Sequence, residues 1–138
     1  MRVLFVCLGN ICRSPSAEAV ARAAGIDCDS AGTAGWHLGK PPYGPMQEAA
    51  KSRGLDMADL RARQLTAADF DRFDLILVMD ADNAREAEAL RPAGNATPLK
   101  LLTEFGEGAF VPDPYYTRDF DGALDLIESC VAGLKAAL

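Results

Sequence analysis

The sequence predicts an α/β protein, a small parallel sheet covered on both faces by helices, in one domain spanning residues 1–138. Three observations carry that expectation. Strand-like and helix-like segments alternate along the chain, the order that builds βαβ units. The first strand is apolar along its length, as in a strand buried on both sides. The 138 residues, 49% hydrophobic and 25% charged, suit one apolar core and argue against disorder.

Residues 2–7 form the opening apolar run. Ser14-Pro15-Ser16 offers a helix start, residues 17–24 are rich in helix formers, and Gly25 stops them. Residues 26–31 read as a second strand. A loop rich in Gly and Pro follows over 32–45, then a helical stretch to Arg53, closed by Gly54. Residues 74–79 are the clearest later strand, with Asp80 at its C-terminal end. Residues 81–90 have helical composition and stop before Pro92, and 97–101 make a short fourth strand. Residues 120–138 place Leu124, Ile127, Val131 and Leu134 at helical spacing and form the longest helix. Ligand sites of parallel sheets gather beyond the strand C-termini, where both Cys7 and Asp80 would lie.

Composition excludes several classes of function. The formal net charge is −6 and no basic run occurs, which disfavours nucleic-acid binding. The apolar stretch 3–8 is too short for a signal peptide, Gly9-Asn10 interrupts it, and too little chain precedes Cys7 for a lipoprotein signal. No segment is long enough to span a bilayer. Cys7, Cys12, Cys28 and Cys130 form no Cys-x-x-Cys pair and no zinc spacing with the lone His37. That usage predicts a protein of the reducing cytoplasm; separately, no metal and no cofactor are expected.

The chemistry concentrates in Cys7-Leu8-Gly9-Asn10-Ile11-Cys12-Arg13-Ser14-Pro15. Cys-x5-Arg alone is weak evidence, but here a strand precedes it and a helix follows. Gly9 tolerates positive φ and Asn10 accepts left-handed geometry, as a tight loop with inward-pointing amides requires. Such amides and the N-terminus of a helix bind an oxyanion and favour a thiolate at Cys7. Arg13 offers a planar fork for two phosphate oxygens, and the Ser14 hydroxyl can donate to the sulfur and ease its departure.

A leaving alkoxide or phenoxide needs a proton, and Asp113, in Val111-Pro112-Asp113-Pro114-Tyr115-Tyr116, is the candidate donor. That role calls for a raised pKa or an acidic optimum. Tyr115, Tyr116 and Trp36 would stack around an aromatic leaving group. Plainer readings stand beside these. Asp113-Pro114 also reads as a turn, Asp80 as a helix cap, His37 as a solvated loop residue, and Cys28 and Cys130 as small core residues. Cys12 either packs under the loop or forms a reversible disulfide with an oxidised Cys7.

These residues resemble the low-molecular-weight protein tyrosine phosphatases, and the resemblance covers essentially the whole chain. Ser30-Ala31-Gly32-Thr33, Trp36, Ala62-Arg63-Gln64-Leu65 and Met79-Asp80 fall in the family's order between the two end motifs. The resemblance implies a four-stranded parallel sheet flanked by helices in a three-layer α/β/α domain, and a metal-free, two-step reaction. Cys7 would form a cysteinyl-phosphate while Asp113 protonates the phenol; water would then hydrolyse it with Asp113 as base. Arg13 would hold the phosphoryl oxygens, Asn10 would hold the loop's shape, and Trp36, Tyr115 and Tyr116 would line the entrance. The implied partner is a tyrosine-phosphorylated protein, with a kinase controlling polysaccharide export, another phosphoprotein or a small metabolite as candidates. The enzyme is expected to be a monomer or weak oligomer.

One departure stands out. Many family members carry a histidine before the Arg-Ala-Arg-Gln segment that supports the loop asparagine, and here Leu60 occupies that place, so weaker support of Asn10 and reduced activity are expected. Three rivals fit less well. A thiol-dependent arsenate reductase needs relay cysteines, and residues 80–95 contain none. A phosphoprotein-binding module would not need nucleophile, arginine and acid together. Gly35-Trp36-His37-Leu38-Gly39-Lys40-Pro41 misses the glycine spacing of a nucleotide-binding loop.

Overall fold

The computed structural model describes residues 1–138 as a four-stranded parallel sheet with helices on both faces. The strands are β1 (Val3–Cys7), β2 (Cys28–Gly32), β3 (Leu75–Val78) and β4 (Leu99–Leu101), in spatial order β2-β1-β3-β4. Val3 pairs with Cys28 on one side and Leu75 on the other, so β1 is central and fully covered. The helices are α1 (Arg13–Ala23), α2 (Gly44–Lys51), α3 (Asp69–Arg72), α4 (Ala81–Glu88), α5 (Pro114–Thr117) and α6 (Phe120–Ala137).

The alternation of side chains along β1 sorts the core. Val3, Phe5 and Cys7 face one layer, with Ala17 and Ala21 of α1 and Ile127, Val131 and Leu134 of α6. Leu4 and Val6 face the other, with Leu65, Phe70, Phe73 and Ala87. A third cluster joins Cys12 to Met46, Ala50, Met57 and Leu124, tying α2 and α6 to the loop after β1. Cys28 and Cys130 are core residues, as their small apolar character implies.

Three boundaries differ from the sequence reading. α1 begins at Arg13 rather than after Ser14-Pro15, so Pro15 sits third in the helix, still within the turn whose N–H groups need no intrahelical acceptor. β2 starts two residues later than expected, at Cys28, and ends one later, at Gly32, because that glycine continues the pairing with Cys7. The single-turn helices α3 and α5, and a 3₁₀ turn at Leu102–Phe105, were not foreseen, being too short to show periodicity.

One close approach governs how α6 seats. A Cβ on Gly133 would overlap the Phe105 carbonyl, and one on Gly106 would lie 2.7 Å from the Cys130 sulfur. Gly133→Ala is therefore expected to destabilise the protein by about 3 kcal/mol, because backbone rather than a flexible side chain must move. Urea denaturation midpoints of the two proteins check this.

Candidate active site

β1 delivers Cys7 to the C-terminal edge of the sheet, and the chain turns through residues 8–12 into α1. Asn10 makes that turn possible: its φ of 57° is left-handed, which asparagine tolerates better than most residues. Gly9 does not adopt positive φ as expected. It is needed instead for clearance, since a Cβ there would lie 2.9 Å from the His37 ring. Gly32 does the same from below, where a Cβ would meet the Leu8 carbonyl oxygen at 2.7 Å.

A network beneath the loop fixes it. Asn10 Nδ2 donates to Ser14 Oγ (2.8 Å) and Ser30 Oγ (3.0 Å), and its Oδ1 accepts from the Arg63 amide (3.0 Å). The carboxamide is thus satisfied on every side without a histidine at position 60. Leu60 packs against the cluster of Cys12, Met46 and Met57, so the expected weakness at Asn10 is not what the geometry contains. Ser30 donates in turn to the buried carboxylate of Glu18 (2.6 Å), whose other oxygen lies 2.6 Å from Arg22. Burial pushes the Glu18 carboxyl up, against the hydrogen bond from Ser30 and the charge of Arg22.

The sulfur of Cys7 sits at the focus. It lies 3.0 Å from Ser14 Oγ and accepts from the Asn10 amide at 3.3 Å. Because Asn10 already donates to Ser14, the serine proton has two acceptors within reach, the sulfur and, at 3.4 Å, the Ala31 carbonyl. The amides of Leu8, Gly9, Ile11 and Cys12 find no acceptor within the chain, and these four residues line a cleft of about 270 Å³. Backbone N–H groups left unpaired in a cleft make a ready anion site.

Arg13 is only 3% exposed, and its guanidinium is anchored at one end. NH1 donates to Asp80 Oδ2 (2.7 Å) and to the Val111 carbonyl (2.9 Å), which leaves Nε and NH2 as a fork with no hydrogen-bond acceptor, NH2 standing only in a 3.6 Å ion pair with Asp113. Burial by itself would lower the Arg13 pKa, but the negative charge of Cys7, the hydrogen bond Arg13 donates to Asp80 and the charge of Asp113 together raise it. Asp80 serves two purposes, since its Oδ1 also caps α4 by accepting from the Asn83 amide (2.8 Å). The cap was anticipated; the tie to Arg13, 67 residues away, was not.

Asp113 likewise combines both of its readings. It caps α5, accepting from the Tyr115 amide (3.1 Å), and its Oδ2 stands 3.6 Å from Arg13 NH2. Tyr115, Tyr116 and Trp36 all line the cleft, with Tyr115 and Tyr116 edge to face at 5.4 Å. His37 lies on a turn, partly exposed as a loop residue, and also lines the cleft. Cys12 lies in the cleft wall as well, its thiol pushed up to about 12 by burial and the nearby negative charge of Cys7 and Asp113. The Cys28 thiol is pushed up to about 12, mainly by burial, and buried Cys130 lies outside the cleft, so neither is placed to relay a disulfide.

Every residue expected at the site is therefore in the cleft wall or directly beneath it. Sequence reasoning missed Ser30, Gly32, Arg63 and Val111 as supporting groups. Ser30, Gly32 and Arg63 fall in segments that the resemblance marked without a role, and Val111 opens the Asp113 segment, but nothing in the sequence ties any of them to the loop.

Residues 2–138 match the sequence profile of the family described as low molecular weight phosphotyrosine protein phosphatase. The chain is 41% identical to the low molecular weight protein-tyrosine-phosphatase YfkJ of Bacillus subtilis, over 99% of this chain and 94% of that protein. It superimposes on the YfkJ crystal structure with a TM-score of 0.94, covering 99% and 93% of the two chains. A Streptomyces coelicolor low molecular weight protein-tyrosine-phosphatase is 43% identical, over 99% and 93%. Vibrio vulnificus Wzb, solved in complex with benzylphosphonate, matches with a TM-score of 0.89 at 30% identity, over 99% and 98%. Sequence, fold and the anion-binding cleft agree, and the chain belongs to the low molecular weight phosphotyrosine protein phosphatases.

Proposed function

We propose that residues 1–138 act as one phosphatase domain that hydrolyses phosphotyrosine and other aryl phosphates with Cys7, Arg13 and Asp113 as catalytic residues. The observation that carries these roles is the convergence in one cleft of a thiol, a half-anchored guanidinium, four unpaired amides and a carboxyl group. In the first step the Cys7 thiolate attacks phosphorus and the P–O bond to the phenol breaks. The departing oxygen takes a proton from the Asp113 carboxyl. In the second step Asp113, now a carboxylate, accepts a proton from the attacking water. The P–S bond breaks, and Ser14 donates a hydrogen bond to the leaving sulfur.

Arg13 and the loop amides of Leu8, Gly9, Ile11 and Cys12 hold the equatorial oxygens through both steps, with no metal ion. Asn10 and Ser14 keep the loop in shape. Trp36, Tyr115 and Tyr116 make an aromatic wall for the phenyl ring, a reading in keeping with the benzylphosphonate held by Vibrio vulnificus Wzb.

The test is hydrolysis of 4-nitrophenyl phosphate and of a phosphotyrosine peptide at mildly acidic pH, with reductant and a chelator. Turnover that survives the chelator supports the scheme, and its absence overturns it. Asp113→Asn is expected to lower kcat/KM for the peptide about 10²-fold, because the leaving phenolate loses its proton source. Steady-state kinetics of the pair check this.

Finer properties belong to the same proposal. The substrate is a tyrosine-phosphorylated protein, with a tyrosine kinase as one candidate, and the enzyme works as a monomer or weak oligomer. Four free, buried cysteines fit a reducing cytoplasm. No helix is long and apolar enough to cross a membrane. Cys12 shares the cleft wall with Cys7, which supports a reading in which a peroxide-formed Cys7 sulfenic acid condenses with the Cys12 thiol to a disulfide and water, sparing Cys7 further oxidation.

A further inference from the structure

Asp113 stands on a one-turn helix between two attachments. Upstream, Val111 is fixed on both sides: its amide donates to the Met79 carbonyl (2.8 Å), and its carbonyl accepts from Arg13. Downstream the turn ends at Arg118, and there the attachment is made of side chains. Arg118 NH1 donates to the Tyr43 hydroxyl (3.0 Å), and its guanidinium lies over the rings of Tyr43 (5.4 Å) and Phe120 (5.2 Å). The Tyr43 ring also meets that of Tyr115, with centroids 5.2 Å apart. Tyr43 is itself tied to the phosphate loop, because its amide donates to the Ile11 carbonyl (2.8 Å).

The geometry points to Tyr43 and Arg118 as a clasp that holds the acid-bearing turn against the phosphate loop, making both of them positioning residues for Asp113. The backbone at Arg118 sharpens this inference. It adopts φ 63° and ψ 10°, a left-handed conformation that glycine enters freely and an arginine does not. A strained arginine is worth keeping where its guanidinium has work, and here it bridges two rings and a phenol.

The inference rests on the general-acid role of Asp113 proposed above, and leaving-group dependence tests the two separately. kcat/KM reports the first step, in which phenyl phosphate needs a proton and 2,4-dinitrophenyl phosphate leaves without one. Arg118→Gly removes the guanidinium while suiting the left-handed backbone, and Tyr43→Leu removes both ring and hydroxyl. Each is expected to lower kcat/KM for phenyl phosphate about tenfold, part of the full general-acid effect, and to change it less than about twofold for the dinitrophenyl ester. Tyr43→Phe, which keeps the ring stack, should fall between, and Arg118→Lys should recover part of the loss. Equal losses on both esters, or none on phenyl phosphate, would overturn the clasp while Asp113→Asn still discriminates between them. An Asp113→Asn enzyme that does not discriminate would overturn the acid assignment, and the clasp with it.

Discussion

Cys7→Ser is expected to lower kcat by at least about 10⁴-fold while the protein keeps its fold and its affinity for tetrahedral oxyanions. A serine oxygen in place of the sulfur retains both partners, the Ser14 hydroxyl and the Asn10 amide, so the loop has no reason to move. What is lost is chemical. An alcohol is protonated at neutral pH and a poor nucleophile, and its alkoxide is a poorer leaving group than a thiolate when water attacks. Cys7 is 3% exposed, so the variant also leaves the core face of β1 undisturbed. Tungstate binding by calorimetry should stay within a fewfold of the parent, because the loop amides and Arg13 are untouched. A variant that kept more than about 1% of parental kcat would place the nucleophile elsewhere.

The parts of this site that could be read from the sequence are those whose residues are close along the chain. The loop from Cys7 to Pro15 carries nucleophile, left-handed asparagine, arginine and serine within nine positions, and it follows a strand whose apolar run is unbroken. The aromatic wall and Asp113 were legible because two prolines and two tyrosines mark their segment. The support of the loop was not. Asn10 is held by Ser30 and Arg63, 20 and 53 residues away, and those contacts exist only once β2 and the following segment have packed. Position 60 shows the same limit, since a missing histidine says nothing about partners already present. Gly32 and Gly133 are likewise close approaches between distant backbones, which no periodicity encodes. Asp80 and Asp113 were each ambiguous between cap and site residue because both readings hold at once.

Arg13→Lys is the second large effect, with kcat/KM expected to fall about 10³-fold. The arginine does two jobs with two edges of one plane. NH1 is spent on Asp80 and the Val111 carbonyl, which sets the plane, and Nε and NH2 then face the cleft as a fixed pair. A lysine ammonium has three donors at a single point, so it can follow Asp80 inward or a phosphate outward, but it cannot present a fork. At a position only 3% exposed it would also leave the Val111 carbonyl unpaired, loosening the segment that leads to Asp113. Charge alone therefore does not rescue the variant. The loss should appear in kcat as well as in KM, because the equatorial oxygens spread apart and gain charge demand in the transition state. Asp80→Asn separates orientation from charge. Its carboxamide oxygen still caps α4 through Asn83, so stability should change by less than about 1 kcal/mol. With that oxygen on Asn83, the carboxamide NH2 faces NH1, donor against donor, so the anchor is lost and activity should fall about tenfold. If Arg13→Lys lost no more than Asp80→Asn, the fork would be unnecessary and Arg13 would act only as a buried cation.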